Sequence, residues 1–78
     1  MEEKFSVYQF FGESVDSSYE LYKERVNIVE ALFAAKQLIT SVGSKIGTTQ
    51  RVIITDSGDS IVFEWLHGEG VVFPSNDQ

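Results

Sequence analysis

The sequence predicts an α+β domain, a small antiparallel sheet with one helix packed on one face, in the order ββαββ(β). Three observations point there. Lys4 to Phe11 and Gln50 to Leu66 are rich in β-branched and aromatic residues and are punctuated by Gly, Ser and Asp. Between them, Ile28 to Val42 repeats apolar residues at helical spacing. The chain has 78 residues, enough for one domain and no more.

Taken in order, Lys4 to Phe11 is a strand that ends at Gly12, and Gly12 to Ser18 has loop chemistry. Tyr19 to Val26 reads two ways. As a strand it pairs with the first as a hairpin. As the start of a long helix it is supported by Ser17 with Glu20 three residues on, a capping box, and by Tyr19, Tyr22, Val26, Val29 and Phe33 at helical spacing. That alternative gives the order βαββ(β). Asn27 with Glu30, however, forms a second capping box, and from it Ile28, Leu32, Ala35, Ile39 and Val42 mark a separate face. At 100° per residue the two stripes point about 120–140° apart, so one straight helix would need two buried sides. Strand followed by helix is the favoured reading.

The helix, Ile28 to Val42, contains Ala31, Leu32, Ala34, Ala35, Lys36, Gln37 and Leu38, mostly strong helix formers. Gly43 stands where a left-handed C-cap is expected, and Gly47 adds a second break. Gln50 to Thr55 and Ser60 to Leu66 flank Asp56-Ser57-Gly58-Asp59, a hairpin signal. With Ser57-Gly58 as a two-residue loop, Gln50, Val52, Ile54, Ile61, Phe63 and Trp65 share the face that the helix covers. Arg51, Ile53, Thr55, Ser60, Val62, Glu64 and Leu66 share the other, with Arg51 opposite Glu64. After His67-Gly68-Glu69-Gly70, Val71-Val72-Phe73 forms a short last strand. Residues 1–74 make the domain, and 75–78, after Pro74, read as a disordered tail.

Composition removes several function classes. There are no cysteines and one histidine, which rules out disulfides and argues against structural zinc. A net charge of −6 opposes direct binding to nucleic acid and to anionic membranes. No apolar run approaches a transmembrane length, and Met1-Glu2-Glu3-Lys4 does not read as a signal peptide, so the expected location is cytoplasmic.

Residues with chemical potential have adequate structural explanations. Asp56 and Asp59 suit a tight turn and lack the ligand spacing of a calcium loop. Gly43-Ser44-Lys45-Ile46-Gly47-Thr48-Thr49 runs from helix to strand, the reverse of a phosphate loop. His67 would need an orienting carboxylate, Glu64 or Glu69, to act as a base, and nothing in the sequence demands one. The expectation is no catalytic, cofactor-binding or metal-ligating residue, and no cofactor.

The second face of the sheet is less easily explained. Antiparallel sheets normally show water a polar side. Here Ile53, Val62 and Leu66 face away from the helix, and strand one is apolar on both sides, with Phe5, Val7 and Phe11 alternating with Tyr8 and Phe10. Either the sheet curls under its own loops, or a second copy covers it, or another protein does. The leading expectation is a non-enzymatic interaction module, homodimeric through Tyr8, Phe10, Ile53, Val62 and Leu66. The chain also resembles, in size and charge alone, the small acidic phage and mobile-element inhibitors that occupy basic grooves of nucleic-acid-binding proteins. Glu2, Glu3, Glu13, Asp16, Glu20, Glu24 and Glu30 would then imitate a phosphate backbone. A small enzyme using His67 is the third alternative.

Overall fold

The structure, a computed structural model, describes residues 3–11 and 18–74. The expected Gly12 to Ser18 loop, apart from Ser18, and the expected 75–78 tail lie outside the described residues. The elements are β1 (Phe5–Phe10), β2 (Tyr19–Val26), α1 (Ile28–Ile39), α2 (Val42–Ile46), β3 (Arg51–Thr55), β4 (Ile61–Leu66) and β5 (Gly70–Phe73). They form one antiparallel sheet in the order β2-β1-β3-β4-β5, with α1 packed against β1, β2 and β3. The ββαββ(β) order therefore holds, with a five-residue second helix added, and Tyr19–Val26 is a strand.

Helix α1 starts where the capping residues place it. The Asn27 side chain accepts a hydrogen bond from the Glu30 backbone N–H at 2.8 Å, satisfying one of the donors a helix leaves open. Its end differs from the expected Val42. Thr40 and Ser41 turn their hydroxyls back onto the Lys36 and Leu38 carbonyls, and Ser41 then caps α2 through the Ser44 N–H. Gly43 consequently lies inside α2, where a Cβ would come within 3.1 Å of Thr49 Oγ1. The left-handed cap is Gly47, at φ 93°.

The rotation of α1 also departs from expectation. Ala31, Ala34, Ala35 and Leu38 are buried, whereas Ile28 and Leu32 of the expected stripe are exposed. Three alanines let the helix axis approach the sheet closely, and larger residues at those positions would hold it off. The core is Val7, Val52, Ile54 and Trp65 of the sheet beneath Ala31, Ala34, Ala35 and Leu38 of the helix.

The β3–β4 hairpin shows a compensated error in register. The loop has three residues, not two: the Asp56 N–H donates to the Ser60 carbonyl at 2.9 Å, and Asp59 takes the left-handed conformation at φ 65°. That moves the pairing by one. A β-bulge then places Val62 as an extra residue between the Thr55↔Ile61 and Ile54↔Phe63 pairs, moving it by one more. Two slips of one restore the original faces, so Val52, Ile54, Phe63 and Trp65 still share a side. Between the slips the faces exchange. Ile61, expected under the helix, sits opposite Thr55 and is exposed, and Val62, expected outside, packs against the core. Arg51 lies opposite Leu66 rather than Glu64.

Candidate functional site

The outer face of the sheet, opposite α1, is built from two cross-strand rows. The first runs Tyr19, Phe10, Arg51, Leu66 across β2, β1, β3 and β4. The second runs Leu21, Tyr8, Ile53, Glu64, Phe73 and reaches β5. Each residue projects outward because it alternates with an inward neighbour, as Tyr8 does with Val7 and Gln9.

Within these rows the aromatic rings cluster. Tyr19 lies 6.0 Å from Tyr8 and 5.5 Å from Phe10, centroid to centroid, the range of favourable ring contacts. The Arg51 guanidinium lies 5.1 Å above the Phe10 ring. Its Nε also donates to Glu64 Oε2 at 2.7 Å, a diagonal pair across the ladder. Ile53, beside that pair, is 7% exposed, so the centre of the face is covered by its own neighbours. Tyr19 at 61%, Phe73 at 46% and Leu21 at 40% leave the flanks open.

Of the five expected interface residues, Tyr8, Phe10, Ile53 and Leu66 are brought together here, and Val62 is not. Tyr19, Leu21 and Phe73 are additional members. Tyr19 and Leu21 join through the β1–β2 register, which shifts twice and lets Tyr22 and Val26 turn inward onto the core. Alternation counted from β1 would have placed Tyr19 and Leu21 correctly, but only once Tyr19–Val26 was known to be a strand.

The edges of the sheet are poor templates for strand addition. Edge strand β2 carries exposed Glu20, Lys23, Glu24 and Arg25, and Arg25 has φ 58° next to a register shift. The opposite edge, β5, has only four residues. A second apolar surface lies on the outward side of α1, where Ile28, Val29, Leu32 and Phe33 are exposed, and Val29 borders an open recess with Phe5.

The candidates for metal and acid–base chemistry are not assembled into sites. The Asp56 carboxylate accepts from the Gly58 and Ser60 N–H groups at 2.9 and 3.0 Å, so it stabilises its own turn. His67 packs edge-on against Trp65 and close to Gly47, and Glu64 is engaged by Arg51. A cleft of about 310 Å³ between the start of β1, the end of β2 and the β3–β4 turn mixes Lys4 and Arg25 with Glu24, Asp56 and Asp59. Among the described residues no group of three His, Asp or Glu side chains is placed to hold a metal, and no helix is long and apolar enough to cross a membrane. No protein-family model, no curated protein and no solved structure matches this chain.

Proposed function

We propose that this domain is a non-enzymatic protein-interaction module of the cytoplasm that docks through the outer face of its sheet. The observation that carries the reading is the pair of rows spanning all five strands, in which aromatic and aliphatic side chains surround a single internally paired charge couple. Tyr, Phe and Arg are residue types that protein interfaces favour: Phe supplies a large apolar surface, and Tyr and Arg join an apolar body to a polar or charged end. A chain without cysteine needs no disulfide and is compatible with a reducing compartment such as the cytoplasm.

The reading as an acidic mimic of nucleic acid has less support. On β2, Glu20 and Glu24 are interleaved with Lys23 and Arg25, so this stretch presents no net charge to a basic groove.

Photo-crosslinking in cells that make the protein tests the proposal. A photoreactive phenylalanine analogue in place of Tyr19 is expected to give discrete adducts of higher mass. The same analogue in place of Ser57, in the β3–β4 turn, gives none. Absence of adducts from position 19 would overturn the docking role.

A further inference from the structure

We propose that the cleft between the start of β1, the end of β2 and the β3–β4 turn binds a small zwitterion of dipeptide length, at a site separate from the docking rows. Among the described residues two non-glycine residues are left-handed, Arg25 at φ 58° and Asp59 at φ 65°, and both line this one cleft. Such backbone is unfavourable for a residue with a side chain, persists only where its surroundings hold it, and gathers at ligand sites. On β2 it accompanies a bulge: two steps along β1, from Phe5 to Val7, match three along β2, from Val26 to Lys23. Neighbours on a regular strand point to opposite faces. Here Glu24 and Arg25 line the same cleft, so the bulge re-aims a side chain into it. On the far side, Asp59 holds the left-handed position that glycine usually takes in a three-residue hairpin loop.

Charge selects the ligand. On the β1–β2 side Lys4 and Arg25 outnumber Glu24, while Asp56 and Asp59 line the turn side. Among the described residues the ion pair is Arg51–Glu64, so the opposite charges of the cleft stand apart instead of neutralising one another. The Asp56 carboxylate is engaged by its own turn, which leaves Asp59 for a ligand. A molecule with a carboxylate at one end and an ammonium at the other complements both sides, whereas a simple anion or cation meets only one. Among the described residues no three carboxylates are placed to hold a metal ion. β1 lies between β2 and β3, so at about 4.8 Å per strand the two sides are anchored about 10 Å apart. With side chains reaching inward, that span suits two extended residues at about 3.5 Å each. The volume, about 310 Å³, lies at the small end for ligand sites. Ser6 and Tyr8, on the intervening strand, supply hydroxyls for the peptide group.

NMR titration of the labelled protein with glycylglycine is the test. Amide signals of Ser6, Arg25 and Ser57 are expected to shift saturably by roughly 10 mM ligand, while those of Ala34 and Leu38 stay fixed. N-acetylglycylglycine and glycylglycinamide, each lacking one end charge, should bind at least about tenfold more weakly. Asp59→Asn keeps a residue that tolerates the left-handed turn and should weaken binding by about tenfold or more. Arg25→Gly should do the same while raising the urea midpoint, because glycine adopts that backbone without strain. Absence of a saturable shift, or equal shifts with the two blocked dipeptides, would overturn the proposal. So would full binding by Asp59→Asn. A lower urea midpoint in Arg25→Gly also counts against it, since the left-handed backbone would then serve the fold rather than the site.

Discussion

One sheet carries two apolar faces, and they are built differently. Beneath α1, Val7, Val52 and Ile54 are fully buried against Ala31, Ala34 and Ala35. Branched strand residues meet small helix residues, and the layers approach closely. On the outer face the residues are larger, and the amphipathic Tyr8, Tyr19 and Arg51 stand beside Phe10. They satisfy one another partly, through ring contacts and the Arg51–Glu64 pair, and leave their flanks open. The inner face needs no further cover. The outer face can tolerate water and can also lose it, which is what a docking surface must do.

Substitutions separate the two. Ile54→Ala, at a fully buried central position, should lower stability by about 2–5 kcal/mol, through lost burial and the cavity left behind. Urea unfolding at several protein concentrations would measure it. Ala34→Leu should cost about 1–3 kcal/mol, because a larger side chain forces α1 off the sheet. If Ala34→Leu proves neutral, close approach is not what orients the helix. Asn27→Ala removes the cap and should cost about 1 kcal/mol, read as a lower midpoint with an unchanged urea slope. Glu64→Gln belongs to the outer face, where the pair is 35% and 21% exposed, and should cost at most about 1 kcal/mol in the dissociated chain. Leu21→Glu, on the open flank, should change the stability of the single chain by no more than about 0.5 kcal/mol. Its effect should be seen in association alone.

The order of elements was legible because it rests on strong local signals. Asn27 with Glu30 starts α1, and Asp56 to Asp59 closes the hairpin with an Asx turn. The allocation of Val52, Ile54 and Trp65 to one face and Ile53 and Leu66 to the other was also legible, although the register behind it was wrong by two. Bulges were not legible. Nothing in the residue types marks Val62 or Tyr22 as the extra member of a ladder, since each depends on how two strands twist together. The rotation of α1 was equally hidden. Hydrophobicity favoured Ile28 and Leu32 as the buried stripe, whereas tight packing against the sheet selected the alanines. Ile28 and Leu32, which the sequence pattern had assigned to the core, thereby join Val29 and Phe33 in a second open surface. Most of the outer face was legible through Tyr8, Phe10, Ile53 and Leu66. Tyr19, Leu21 and Phe73 were not, because their place depends on which strands neighbour them.

The most direct measurement is the photo-crosslinking experiment extended over the surface of the intact protein. If the outer face docks a protein, the photoreactive analogue in place of Tyr8, Phe10, Tyr19, Leu21 or Leu66 gives discrete adducts, while in place of Val29 or Phe33 it gives none. Adducts confined to Val29 and Phe33, or none at all, would contradict it.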